Sequence, residues 1–135
     1  MDYYYKEFLK LQDEFHEVMH HFPLFQEMID KIYDNDIKEI NDWLEKNDEF
    51  YLKKAISKLK DVISFVKDTS KEIDFEYEKF DTLASNWEKR EFVNMSEDEL
   101  DKINSQVNKA NLLIKSHDIK DIKEANKIME KLLSI

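Results

Sequence analysis

Glycine and cysteine are both absent from the 135 residues, and proline occurs once, at Pro23. Glycine is the default residue wherever the backbone needs a positive φ. Its absence removes the tight two-residue β-hairpin and the glycine-rich loops that cradle phosphates. It also removes the calcium loop with its central glycine and the nucleophile elbow of serine hydrolases. The absence of cysteine excludes disulfides, thiolate metal sites and a cysteine nucleophile. No stretch approaches the roughly 20 apolar residues of a membrane span. The opening residues, Met1-Asp2-Tyr3-Tyr4-Tyr5-Lys6-Glu7, lack the basic and apolar regions of a secretory signal, and a cytoplasmic protein is expected.

Large side chains are plentiful: nine Phe, six Tyr and two Trp. They are enough to build a core although 39% of the residues are charged, so the chain is not of the disordered class. The length fits one domain. Net charge is −10, which opposes nonspecific binding to nucleic acid or anionic membrane. The charge is uneven: residues 1–50 hold 14 acids and 5 bases, residues 51–135 hold 17 acids and 16 bases. Residues 1–48 therefore read as an acidic helical part able to steer a basic protein partner, and 49–135 as the amphipathic helices of the main bundle. A well-solvated helix surface is the plainer explanation of the same acids.

Apolar residues recur at three- and four-residue steps along almost the whole chain. Tyr4, Phe8, Leu11, Phe15, Val18, Met19 and Phe22 define a first helix from Asp2 to His21. Pro23 ends it or restarts it, and the next helix, from about Pro23 to Tyr33, carries Leu24, Phe25, Met28, Ile29 and Ile32. Asp34-Asn35-Asp36 reads as a polar break before a short helix with Ile37, Ile40, Trp43 and Leu44, and Asn47-Asp48 as another. The fourth helix, 49–67, has Leu52, Ala55, Ile56, Leu59, Val62, Ile63 and Val66 on one face. Thr69 and Glu72 form a capping-box pattern that predicts a new helix from Ser70 to about Phe92. Ser96 and Glu99 repeat the pattern, and Asp118 and Asp121 mark a last helix beyond a turn at Ser116-His117. The fold class is all-α, a single antiparallel helical bundle of about five or six helices. Asp and Asn supply the turns, since they tolerate the left-handed region best after glycine.

One string has the form of a zinc-hydrolase motif, His16-Glu17-Val18-Met19-His20. Histidines four apart share a helix face and can both ligate zinc, with the glutamate as general base. No third ligand is marked by a pattern, Glu39 being the nearest arbitrary candidate, and no strand is predicted to grip a substrate. His16 and His20 also point away from the apolar stripe, toward solvent or a partner. Surface histidines are the plainer reading, and the expectation is no cofactor, with zinc at His16 and His20 as the alternative. Glu97-Asp98-Glu99 suits a helix N-terminus electrostatically and needs no catalytic explanation. Trp43, Trp87 and most other aromatics read as core residues. Tyr3, Tyr5 and Phe25 are the ones expected to be exposed, as anchors for a protein partner.

The stretch from Leu112-Leu113-Ile114-Lys115 through Ser116-His117-Asp118 to Lys131-Leu132-Leu133 resembles the C-terminal helical tail of seventy-kilodalton heat-shock chaperones. The likeness lies in an Asp-started closing helix carrying Ala125-Asn126 and a final Leu132-Leu133, preceded by the Ser96-Glu97-Asp98-Glu99 helix start with Ile103 and Val107 behind it. It covers about the last 40 residues. His117 stands where that family often has an acid, and Met129 replaces a frequent aromatic. The chain contains no counterpart of the family's nucleotide-binding domain or substrate-binding sandwich, so no ATPase activity is implied. The resemblance implies a helical domain that contacts clients or co-factors. Three functions follow: a non-enzymatic protein-interaction domain, a zinc-dependent hydrolase, or a self-associating structural bundle.

Overall fold

Long apolar stripes with few breakers produce an all-α structure in the computed structural model, which describes residues 2–135. Six α-helices follow one another: α1 (Asp2–His21), α2 (Gln26–Lys31), α3 (Lys38–Glu45), α4 (Glu49–Glu88), α5 (Glu97–Leu113) and α6 (Ile119–Leu133). A π-helical segment, Ile32–Ile37, joins α2 to α3 without a break. Among the described residues no helix is long and apolar enough to cross a membrane.

Two of the expected breaks do not form. Asp34-Asn35-Asp36 stays helical, because Ile32 and Ile37 are five residues apart, one more than an α-turn spans. A π-turn, with its i→i+5 bond, takes up the extra residue. The Lys38 amide accordingly donates to the Tyr33 carbonyl, Ile32 and Ile40 are both buried, and Ile37 packs against the same core. The predicted start at Thr69 is likewise absent, and α4 runs through it. The apolar phase explains this: Leu59, Val62/Ile63, Val66, Ile73 and Phe80 stay in step across the site. Thr69 and Ser70 fill the missing positions of that stripe as buried residues. A three-residue capping pattern is outweighed by a stripe several turns long.

The described chain packs as two compact units, residues 1–71 and 72–135. Their boundary falls inside α4. In the first unit, Glu7 pairs with Lys60 at 3.2 Å and Glu14 with Lys67 at 3.5 Å. Equal seven-residue steps in the same order mean that α1 and this part of α4 run parallel. Glu39 meets Lys58 while Trp43 meets Lys54, so α3 runs antiparallel to α4. The topology is up–down–up around Phe8, Phe15, Ile32, Ile40, Leu59 and Val66.

In the second unit, Glu72 pairs with Lys123 and Lys79 with Glu130, the latter at 2.6 Å, so α6 runs parallel to this part of α4. The connection from α5 to α6 is only five residues, which turns α5 antiparallel between them. The core contains Phe80, Ile103, Ala110, Ala125, Met129 and Leu132. Buried Asn126 donates to the Glu76 carbonyl at 3.0 Å and to its carboxylate Oε2 at 2.6 Å. Arg90 donates to the carbonyls of Leu132 and Ile135, closing the C-terminal end of α6, where helix carbonyls lack partners.

The turns show how the chain manages without glycine. Asn47, Asn94 and His117 take positive φ values of 49°, 65° and 59°. Asn and His are among the residues enriched in that region. Ser96 caps α5 by accepting from the Glu99 amide at 3.2 Å, and Asp118 caps α6 by accepting from the Lys120 amide at 2.8 Å.

Four of the acids that precede α4 in residues 1–50 are matched by lysines of α4. Lys58, Lys60 and Lys67 of α4 lie against Asp36, Glu39, Glu7 and Glu14. Residues 1–71 hold 16 acids and 11 bases and residues 72–135 hold 15 acids and 10 bases, so each unit carries −5.

Candidate functional site

A shallow groove lies between α3 and α4 in the first unit. The turn at Asn47-Asp48 sends α4 back along α3, and the Asp48 carboxylate caps α4 by accepting from the Phe50 amide at 3.1 Å. Ile40 anchors α3 in the core. Trp43, nearly one turn further on, is only half-buried, and its indole forms one wall of a groove of about 460 Å³. Phe65, 51% exposed, forms the opposite end, and Val62 lies between them. An aromatic of this size left half in water keeps apolar area available for a partner.

The polar groups of the groove fall into two sets. Lys58 is held: its ammonium lies 3.0 Å from Glu39 and 3.5 Å from Asp36. The hydrogen bond to Glu39 raises its pKa above the usual lysine value; desolvation opposes this, and the charges of Glu39 and Asp36 add to it. Lys54 and Asp61 have no partner of opposite charge among the described residues. Lys54 has no carboxylate partner among the described residues and sits over the rings of Trp43, Phe50 and Tyr51 at 5.5, 5.1 and 5.8 Å. Asp61 is exposed and has no cation partner among the described residues. The groove thus offers one unmatched positive and one unmatched negative charge on the same face of α4.

Of the expected anchors, Tyr3 is 73% and Tyr5 53% exposed. Tyr5 lines a smaller cleft of about 80 Å³ with Trp43, Leu44 and Leu52, beside the main groove. Phe25 differs from expectation: it is half-buried at the N-cap position of α2, where its carbonyl accepts from the amides of Met28 and Ile29. The reversal at Pro23 folds Phe22 and Leu24 onto the core and leaves Phe25 partly covered. Trp43, expected inside the core, only edges it. Phe50 and Phe65, grouped with the aromatics expected in the core, are instead exposed, and Lys54 carried no expectation. The available signal was that Phe50 and Phe65 fall off the Leu52–Val66 stripe, which leaves a large apolar side chain facing water.

His16 and His20 are both exposed, as their side of α1 implied. The His16 ring lies 5.7 Å from that of Phe15, and the His20 ring 5.0 Å from that of His21. Glu39 is engaged with Lys58. Among the described residues no group of three or more His, Asp or Glu side chains is placed to hold a metal ion. Comparison with protein-family models, with curated proteins and with solved structures found no match.

Proposed function

We propose that this chain is a non-enzymatic protein-interaction module that binds a partner in the groove between α3 and α4. The observation that carries this reading is the pairing of a half-buried Trp43 with an exposed Phe65 across a groove of about 460 Å³. Tryptophan and tyrosine anchors dominate binding energy at protein interfaces, and Tyr5 extends the aromatic surface next to Trp43. The net negative charge of the unit adds long-range attraction for a partner of positive net charge and acts mainly on the association rate. The likeness of residues 96–133 to the tail of seventy-kilodalton heat-shock chaperones supports clients or co-factors of a chaperone as the class of partner.

The test is a photo-crosslinking amino acid placed at Phe65 and, as control, at Glu17 on α1. Discrete protein adducts in cells from position 65, and none from position 17, are the expected result. Equal or absent labelling from the two positions refutes the groove as the binding surface. The chaperone reading has its own check: the parent reading frame should also encode an ATPase domain.

A further inference from the structure

The two unmatched charges restrict what the groove can hold. Lys54 and Asp61 are seven residues apart on α4, two helical turns, or about 10 Å along the axis. Trp43 lies across the groove beside Lys54 and Lys58, at 5.5 and 5.7 Å from their ammonium groups. Val62 and Phe65 follow beyond Asp61. The order along α4 is therefore positive charge, aromatic wall, negative charge, aromatic wall, over eleven residues or about 16 Å.

A peptide that binds by adding a strand needs a sheet edge to pair with, and the described residues contain no strand. A groove between two antiparallel helices instead accepts the ridge of a third helix. A helix presents side chains on one face at steps of three, four and seven residues. Seven residues on the incoming helix cover the same 10 Å as seven on α4.

Resting on the protein-binding reading above, we infer that the occupant is an amphipathic helix of a partner protein. It carries an acid, a bulky apolar residue three or four positions away, and a base seven positions from the acid. The acid meets Lys54, the apolar residue packs on Trp43 and Val62, and the base meets Asp61. Lys58 takes no part, because Asp36 and Glu39 already satisfy it. The charge pair sets register and direction, and the aromatic walls supply most of the affinity.

The test selects binders of the full chain from a display library of 16-residue helix-forming peptides randomised along one face. The expected outcome is enrichment of the acid–apolar–base pattern, with binding lost in Phe65→Asp. Synthetic peptides with the acid and base exchanged should bind up to about fivefold more weakly, the upper end for an exposed charge pair. That preference should invert for the double variant Lys54→Glu, Asp61→Lys. Groove-dependent peptides without this spacing, or without inversion, overturn the inference and leave the groove as a binding surface. Peptides that bind regardless of Phe65→Asp, or no enrichment at all, overturn both readings. A dimer in sedimentation that dissociates on Phe65→Asp would make a second copy of this chain the occupant and overturn the inference.

Discussion

The substitution Asn126→Asp changes almost no volume and isolates the chemistry of one buried contact. The Asn126 amide donates to the Glu76 carbonyl at 3.0 Å and to Glu76 Oε2 at 2.6 Å, and its own oxygen has no partner. An aspartate there removes both donors and sets a second carboxylate against Glu76. Like charges this close do not both stay ionised in a buried place, and one binds a proton. Once protonated, the introduced aspartate donates again to Glu76 Oε2, so the variant folds at the cost of holding that proton. From an ordinary aspartate pKa of about 3.9 to pH 7, at about 1.4 kcal/mol per unit, that cost reaches about 4 kcal/mol. The figure is a ceiling, because Lys79 and Lys123 also feel the charge of Glu76 and soften the repulsion. The folded-state pKa of the introduced carboxyl lies above its unfolded value. Its penalty is therefore small near pH 4 and grows as pH rises toward neutrality. Urea unfolding of variant and parent, followed by Trp87 fluorescence in a Trp43→Phe background at pH 4.5 to 7, measures the difference. Expected is a gap of about 1 kcal/mol or less at pH 4.5 that widens toward the ceiling at pH 7. A gap that stays flat with pH would refute the buried Asn126–Glu76 contact.

Three further outcomes follow. Ser70→Pro should cost about 3 kcal/mol or more, since proline inside a continuous helix removes a hydrogen bond and clashes with the preceding turn. A capped start at Thr69 would put Ser70 at the first helical position and leave that variant near-neutral in thermal melting. Deleting Asn35 should leave the melting temperature within a few degrees, because it shortens the five-residue step from Ile32 to Ile37 to an ordinary α-turn. Deleting exposed Asn41 should cost several times more by turning the following residues about 100° off the core. Lys58→Met should lose about 0.5 kcal/mol at neutral pH. The raised pKa of Lys58 means its contribution is present below 10.5 and fades as pH rises beyond it. Denaturation curves of variant and parent should therefore converge in strong base.

What could be read along the chain was whatever depends on neighbours a few residues apart. The span of α1, the Ser96 and Asp118 caps and the Asn47 turn are of this kind, since a cap or a left-handed turn is settled by local sterics and one hydrogen bond. Thr69-Glu72 matches the capping pattern as well as Ser96-Glu99 does. The difference is that Thr69 and Ser70 continue a buried stripe, whereas no apolar stripe leads into Ser96 from Phe92. The candidate groove was less legible. Tyr3 and Tyr5 were identifiable because three consecutive tyrosines cannot all face one core. Phe65 and Lys54 needed α3 beside α4 before their exposure formed a surface.

Composition and spacing by themselves determined an all-α fold, because a chain without glycine has no easy hairpin and its apolar residues keep a helical period almost throughout. They also disfavoured phosphate loops, calcium loops and nucleophile elbows, each of which needs a residue this chain lacks. Only the tertiary structure decided which helices are continuous, where the two units divide, and which charges remain unmatched. Those outcomes depend on burial shared among segments far apart in the chain. Glu7, Glu14, Asp36 and Glu39 show the physical reason: they meet lysines of α4 in space, and among the described residues of the groove only Lys54 and Asp61 are left without an opposite charge.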